Sequence, residues 1–193
     1  TSTNLQTHVA GDFHPEARSE DEDKLRMNAL FSALSKSSLK DPKTSYALIL
    51  DSSNFLTRDA LMEAGYQKDN ILIPQYEAEE YKRMKSNHPS TFHSDLNYFM
   101  REIPESHRIS AAWFDYTCTV TGNSTCKPLE DVSLYFSKHF PENASTFALT
   151  FCKRNAQVEE ADIVHFTKEQ VQDIAEKFGY VLTRERTEEY GIG

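Results

Sequence analysis

An unbroken apolar run, Tyr46-Ala-Leu-Ile-Leu50, stops abruptly at Asp51, and this stretch sets the terms for the rest of the chain. Apolar residues that do not alternate with polar ones suit a strand buried on both faces, as in a parallel sheet. After Asp51 come Ser52, Ser53 and Asn54, small and polar, and then a short helical pattern that turns Leu61 and Ala64 inward and stops at Gly65. The order strand, helix, strand, helix that follows is the pattern of an α/β fold, a mostly parallel sheet with helices on both faces. Ligands of such sheets bind outside the carboxyl ends of the strands, so Asp51 to Thr57 is the first candidate site.

The remaining elements follow from periodicity. Residues 1–18 are expected as a flexible arm and 19–193 as a single α/β domain, since no repeat or low-complexity linker interrupts them. Ser19 with the acids Glu20 to Asp23 reads as a capped helix start, ahead of the stripe Met27, Leu30, Phe31 and Leu34. Thr57 is expected to cap the helix after the first strand. Asn70 to Gln75 is expected as a second strand closed by Pro74, Tyr76 to Lys85 as a helix, and 86–90 as a loop. A helix capped by Ser94 or Asp95 buries Leu96, Phe99 and Met100. Ile109 to Asp115 repeats the opening pattern, an apolar strand ending on a carboxylate, with Trp113 in the core. Pro128 opens another helix, Ser145 to Cys152 makes a buried strand, Thr167 to Gln170 forms a capping box, and Tyr180 to Thr187 makes a last strand.

Composition narrows the function. A formal net charge of -9 over 193 residues does not favour nucleic acid as a partner, which calls for a basic patch. No apolar run approaches the roughly 18 residues of a membrane span, and Thr1 to Gly11 lacks the apolar core of a signal peptide. Cys118, Cys126 and Cys152 have no ligand-like spacing and are expected to be reduced thiols of an intracellular protein, in the cytoplasm or nucleus. Asn123-Ser-Thr and Asn143-Ala-Ser match the glycosylation pattern, but on this expectation they are idle. His88, His93 and His107 match no zinc spacing and read as loop histidines.

Asp51 and Asp115, each ending a strand, form the strongest constellation. Carboxylates there can take an ammonium group, a ribose hydroxyl or a magnesium ion, although each also suits a plain turn cap. Taken with Ile73-Pro74-Gln75, Phe114-Asp115-Tyr116-Thr117-Cys118-Thr119 and Phe147 to Arg154, the pattern from about Asp21 to Thr187 resembles the Rossmann-like, S-adenosylmethionine-dependent methyltransferases. The resemblance implies a Rossmann-like three-layer sandwich that binds S-adenosylmethionine and releases S-adenosylhomocysteine, with the methyl acceptor unread. It casts Asp51, Ser52, Ser53 and Asn54 near the methionine moiety, Gln75 at the ribose and Tyr76 near the base. Asp115 and Tyr116 would lie beside the methyl group as the catalytic pair, and no metal is implied. Such folds commonly finish with one more strand than is read here. Two departures stand out: Ser52 to Phe55 carries no glycine where the family has a glycine-rich turn, and Gln75 replaces an acidic ribose ligand.

Two other classes share these residues. Leu48 to Phe55 also resembles the opening of NYN/PIN-type ribonucleases, in which Asp51 and Asp115, with Asp59 or Asp95, would hold magnesium, and Arg58, Lys82, Arg83 and Lys85 would meet the RNA. A binding protein that kept the fold without the chemistry is the third reading.

Overall fold

The computed structural model describes residues 2–3, 17–153 and 160–189. In chain order the elements are β1 (Ser2–Thr3), α1 (Ala17–Ser38), β2 (Tyr46–Ile49), α2 (Leu56–Glu63), β3 (Ile71–Gln75), α3 (Ala78–Lys85), β4 (Thr91–His93), α4 (Leu96–Glu102), β5 (Ile109–Thr119), α5 (Pro128–Ser137), β6 (Pro141–Cys152), α6 (Glu160–Lys177) and β7 (Glu188–Glu189). The fold is an α/β, Rossmann-like sandwich of parallel strands flanked by helices, as the apolar runs predicted. The described residues divide into two compact units, 24–113 with 139–148, and 2–3, 17–23, 114–138, 149–153 and 160–189.

In the first unit the strand order is β4-β3-β2-β5-β6. Ala47 and Leu48 pair with Ile71 and Leu72 on one side, and Ala47 to Ile49 pair with Ala111 to Trp113 on the other. Central strands of a parallel sheet with helices over both faces have no solvent face, and Ala47, Leu48, Ile49, Ile71, Ile73, Ala111 and Ala112 are all buried. Phe31 of α1 lies 5.1 Å from Trp113, and the Lys24 ammonium sits 4.2 Å over the same indole.

The second unit contains β1 between β6 and β7, both pairings parallel. Its core is aromatic. Phe114, Tyr135, Phe136 and Tyr180 follow one another ring to ring at 5.2 to 5.3 Å.

Several boundaries differ from the sequence reading. Gly65 ends α2 in the left-handed region at φ 112, and Asp95 caps α4 by accepting from the Tyr98 amide at 2.7 Å, both as expected. Thr57 does not cap α2. Its hydroxyl turns inward to the Asn28 side chain at 2.7 Å, and the cap position falls to Phe55. Thr167 opens nothing: it lies inside α6, and its buried hydroxyl bonds back to the Ile163 carbonyl at 2.7 Å. Residues 86–90 lead into an unexpected edge strand, β4, and Pro74 sits within β3 rather than closing it. The strand expected over Tyr180 to Thr187 is irregular, and only Glu188–Glu189 pairs. Most of the arm expected over 1–18, and Arg154, lie outside the described residues.

Candidate functional site

Chain order and strand order together create one special position in the first unit. From the central β2 the chain winds outward to β3 and β4, then returns to the other side of β2 with β5 and β6. Counted in chain order from β2, this is 3-2-1-4-5, and the direction reverses between β2 and β5. At such a reversal the connections leave in opposite directions, and ligands of α/β sheets bind there, outside the carboxyl end of the central strand. Asp51 stands just beyond that end.

The turn after β2 is built around the Asp51 carboxylate. One oxygen accepts from the Ser52 amide at 3.0 Å and the other from the Arg58 amide at 2.8 Å, so the side chain pins the loop and satisfies an amide of the first turn of α2. Burial pushes the Asp51 pKa above the ordinary carboxylate value, against the opposing pull of these amides and of Lys24. The loop between them needs a left-handed residue, and it uses Phe55, at φ 53 and ψ 34. A side chain in that region costs about 1 kcal/mol or more, so glycine is the usual occupant. Phe55 offsets that cost by burying its ring under the Arg58 guanidinium, 3.8 Å from the centroid, with the His88 ring 5.9 Å away. His88 is itself buried, bonded through Nε2 to the Ile71 carbonyl at 2.6 Å, and burial holds its pKa below the ordinary value.

Gln75 ties the ends of β2 and β3 together. Its amide nitrogen reaches the Asp51 carbonyl at 3.4 Å, and its oxygen accepts from the Glu77 amide at 3.0 Å. Both ends of this side chain are therefore engaged within the protein. What remains open around the paired strand ends is Ser52, Ser53, Asn54 and the ring of Tyr76, which is 71% exposed. None of these four side chains makes a hydrogen bond among the described residues. The arrangement offers a polar loop and an aromatic face at adjacent strand ends, suited to a ligand with a flat ring and several polar groups.

The second unit holds Asp115 and Tyr116, and there the expectation needs correction. The strand does not end at Asp115; β5 runs on to Thr119, leaving Asp115 half-buried in its middle. Tyr116 is buried, and its hydroxyl donates to Asp131 of α5 at 2.5 Å. Burial, reinforced by the charge of Asp131, drives the Tyr116 pKa well up, so the phenol keeps its proton. The expectation of reduced thiols is overturned as well: Cys118 and Cys126 form a disulfide that closes the loop after β5. Only Cys152 is a free cysteine, and it is buried.

Phe55 and Arg58 are the site residues whose roles the sequence did not reveal. The signal was present in the glycine-poor turn itself, because a loop that must pass through the left-handed region without glycine has to place some side chain there. Asp59 and Asp95 do not gather with Asp51: Asp59 pairs with Arg58 at 2.9 Å, and Asp95 caps α4. Among the described residues no three His, Cys, Asp or Glu side chains form a group fit for a metal ion. No helix among them is long and apolar enough to cross a membrane. Compared with known proteins, the chain matches no family model, no curated protein and no solved structure.

Proposed function

We propose that the crevice at the carboxyl ends of β2 and β3 binds S-adenosylmethionine and that the protein is a methyltransferase of divergent type. The observation that carries this reading is the reversal of strand order beside β2, with Asp51 just beyond that strand's end. The residues around it fit an adenosyl ligand in part. Tyr76 supplies a flat face for the base, and Ser52, Ser53 and Asn54 supply open polar groups. The departure at Gln75 fits differently. Its amide binds the loop instead of a ribose, so the hydroxyl contacts fall to the serines and Asn54.

When bound, the sulfonium cofactor supplies an electrophilic methyl group. The chain's task is to hold that group in line with an acceptor, which is mostly a matter of position. Asp51 contributes by fixing the loop through the Ser52 and Arg58 amides. The magnesium-nuclease reading draws no support from the side chains, since Asp59 and Asp95 are engaged elsewhere.

Calorimetric titration of the purified protein with S-adenosylmethionine and S-adenosylhomocysteine tests the reading. Binding in the micromolar range, weakened by Tyr76→Ala, is the expected result. A folded protein that takes up neither nucleoside would sink it.

A further inference from the structure

The chain carries two Asn-X-Ser/Thr tripeptides, and in both every residue is exposed: Asn123-Ser124-Thr125 in the loop after β5, and Asn143-Ala144-Ser145 in the first part of β6. We propose that this chain matures in an oxidising compartment and carries N-linked glycan at Asn143 and Asn123. Either tripeptide alone is a short and common word. The Cys118–Cys126 disulfide is an independent sign pointing the same way, because such bonds form and persist where thiols are not kept reduced.

The geometry at each site leaves the reacting nitrogen open. Asn143 is exposed, and its side chain makes no hydrogen bond among the described residues. Its neighbours anchor the strand: Glu142 accepts from the Ser45 hydroxyl at 3.4 Å, and Thr146 shares a 2.8 Å bond with Ser38 at the end of α1. These contacts place Asn143 beside the segment that enters β2, at the end of that strand opposite Asp51. A glycan there is attached at the end of β2 remote from Ser52 to Asn54. The Asn123 side chain uses only its oxygen, which accepts from the Thr125 amide at 2.9 Å, the Thr125 hydroxyl at 3.1 Å and the Cys126 amide at 2.9 Å. Nδ2 takes no part in that turn, and the hydroxyl on the amide oxygen draws density from it, easing loss of a proton.

The step joins Nδ2 to the anomeric carbon of an oligosaccharide carried on a lipid diphosphate. The bond from that carbon to the diphosphate oxygen breaks, the lipid diphosphate leaves with the electron pair, and Nδ2 gives up one proton. No electrons are exchanged with an outside oxidant or reductant. The proposal is independent of the cofactor reading, since neither asparagine is among the residues on which that reading rests.

The test uses the protein isolated from its own cells. Intact mass before and after peptide N-glycosidase should fall to that of the bare chain, with the released asparagines converted to aspartate. Asn143→Gln should remove one increment of mass without weakening thermal stability. Alkylation of the unfolded, unreduced protein should label Cys152 alone. Unmodified Asn123 and Asn143, together with alkylation of all three cysteines, would overturn the proposal.

Discussion

The turns around Asp51 and Asp115 read alike in the sequence and fold differently. Both follow an apolar strand with an acid, Asp51 ahead of Ser52-Ser53-Asn54 and Asp115 ahead of Tyr116-Thr117-Cys118. At Asp51 the strand stops, and the carboxylate collects backbone amides to launch a helix. At Asp115 the strand continues for four more residues to Thr119, because Cys118 is tied to Cys126 and Tyr116 is anchored to Asp131. The first turn is held by a carboxylate and a strained aromatic, and its polar groups stay open. The second is held by a covalent staple and a buried tyrosine. An acid after an apolar strand therefore marks the end of that strand only if nothing downstream extends it.

The largest expected effect is at Phe55. Phe55→Ala should cost about 3 to 4 kcal/mol in urea unfolding, through lost ring burial with the left-handed backbone retained. Phe55→Gly should be milder than Phe55→Ala by about 1 kcal/mol, the reverse of the usual order, because glycine relieves the strained φ. Equal costs would remove strain from the account of this turn.

Asp51→Ala should cost about 3 kcal/mol by leaving the Ser52 and Arg58 amides without their acceptor. The corresponding change in the second segment, Cys118→Ser with Cys126→Ser, should cost roughly 2.5 kcal/mol, as expected for opening a loop of this length. If that double variant also abolished nucleoside binding at the first turn, the contrast between an open site and a separate staple would collapse.

A smaller effect is the pH response of His88 beneath Phe55. Its folded pKa lies below the ordinary 6.5, so the native state holds fewer protons than the unfolded one. Stability is fully present above pH 6.5 and should fall as the pH drops through the folded value. His88→Phe should flatten that acid limb, read from urea midpoints between neutral and mildly acidic pH. Tyr76→Ala should leave stability within about 0.5 kcal/mol, since the ring is exposed, while weakening nucleoside binding by about tenfold.

Much of the frame was legible because buried parallel strands announce themselves as unalternated apolar runs. Tyr46–Ile49, Ile71–Gln75 and the first residues of β5 were found on that signal, and Gly65 and Asp95 punctuated the helices as their chemistry requires. The failures came where tertiary contacts overrode local signals. Thr57 and Thr167 look like caps, yet each hydroxyl found a buried partner instead. The short edge strand β4 carries no periodicity to read. Of the candidate site, the position of Asp51 was readable from the end of its strand. The engagement of Gln75 depends on Glu77 and on the end of a neighbouring strand, which no local pattern encodes. The Cys118–Cys126 bond was missed because an odd cysteine count and a low prior for oxidation argued against any pairing.

A crystal of the protein soaked with S-adenosylhomocysteine shows where the nucleoside sits. The expected result is density for the nucleoside beside the carboxyl ends of β2 and β3, with its base against Tyr76 and its polar groups on Ser52 to Asn54. Occupancy elsewhere, or a well-ordered turn that remains empty at saturating ligand, would contradict the assignment of that crevice.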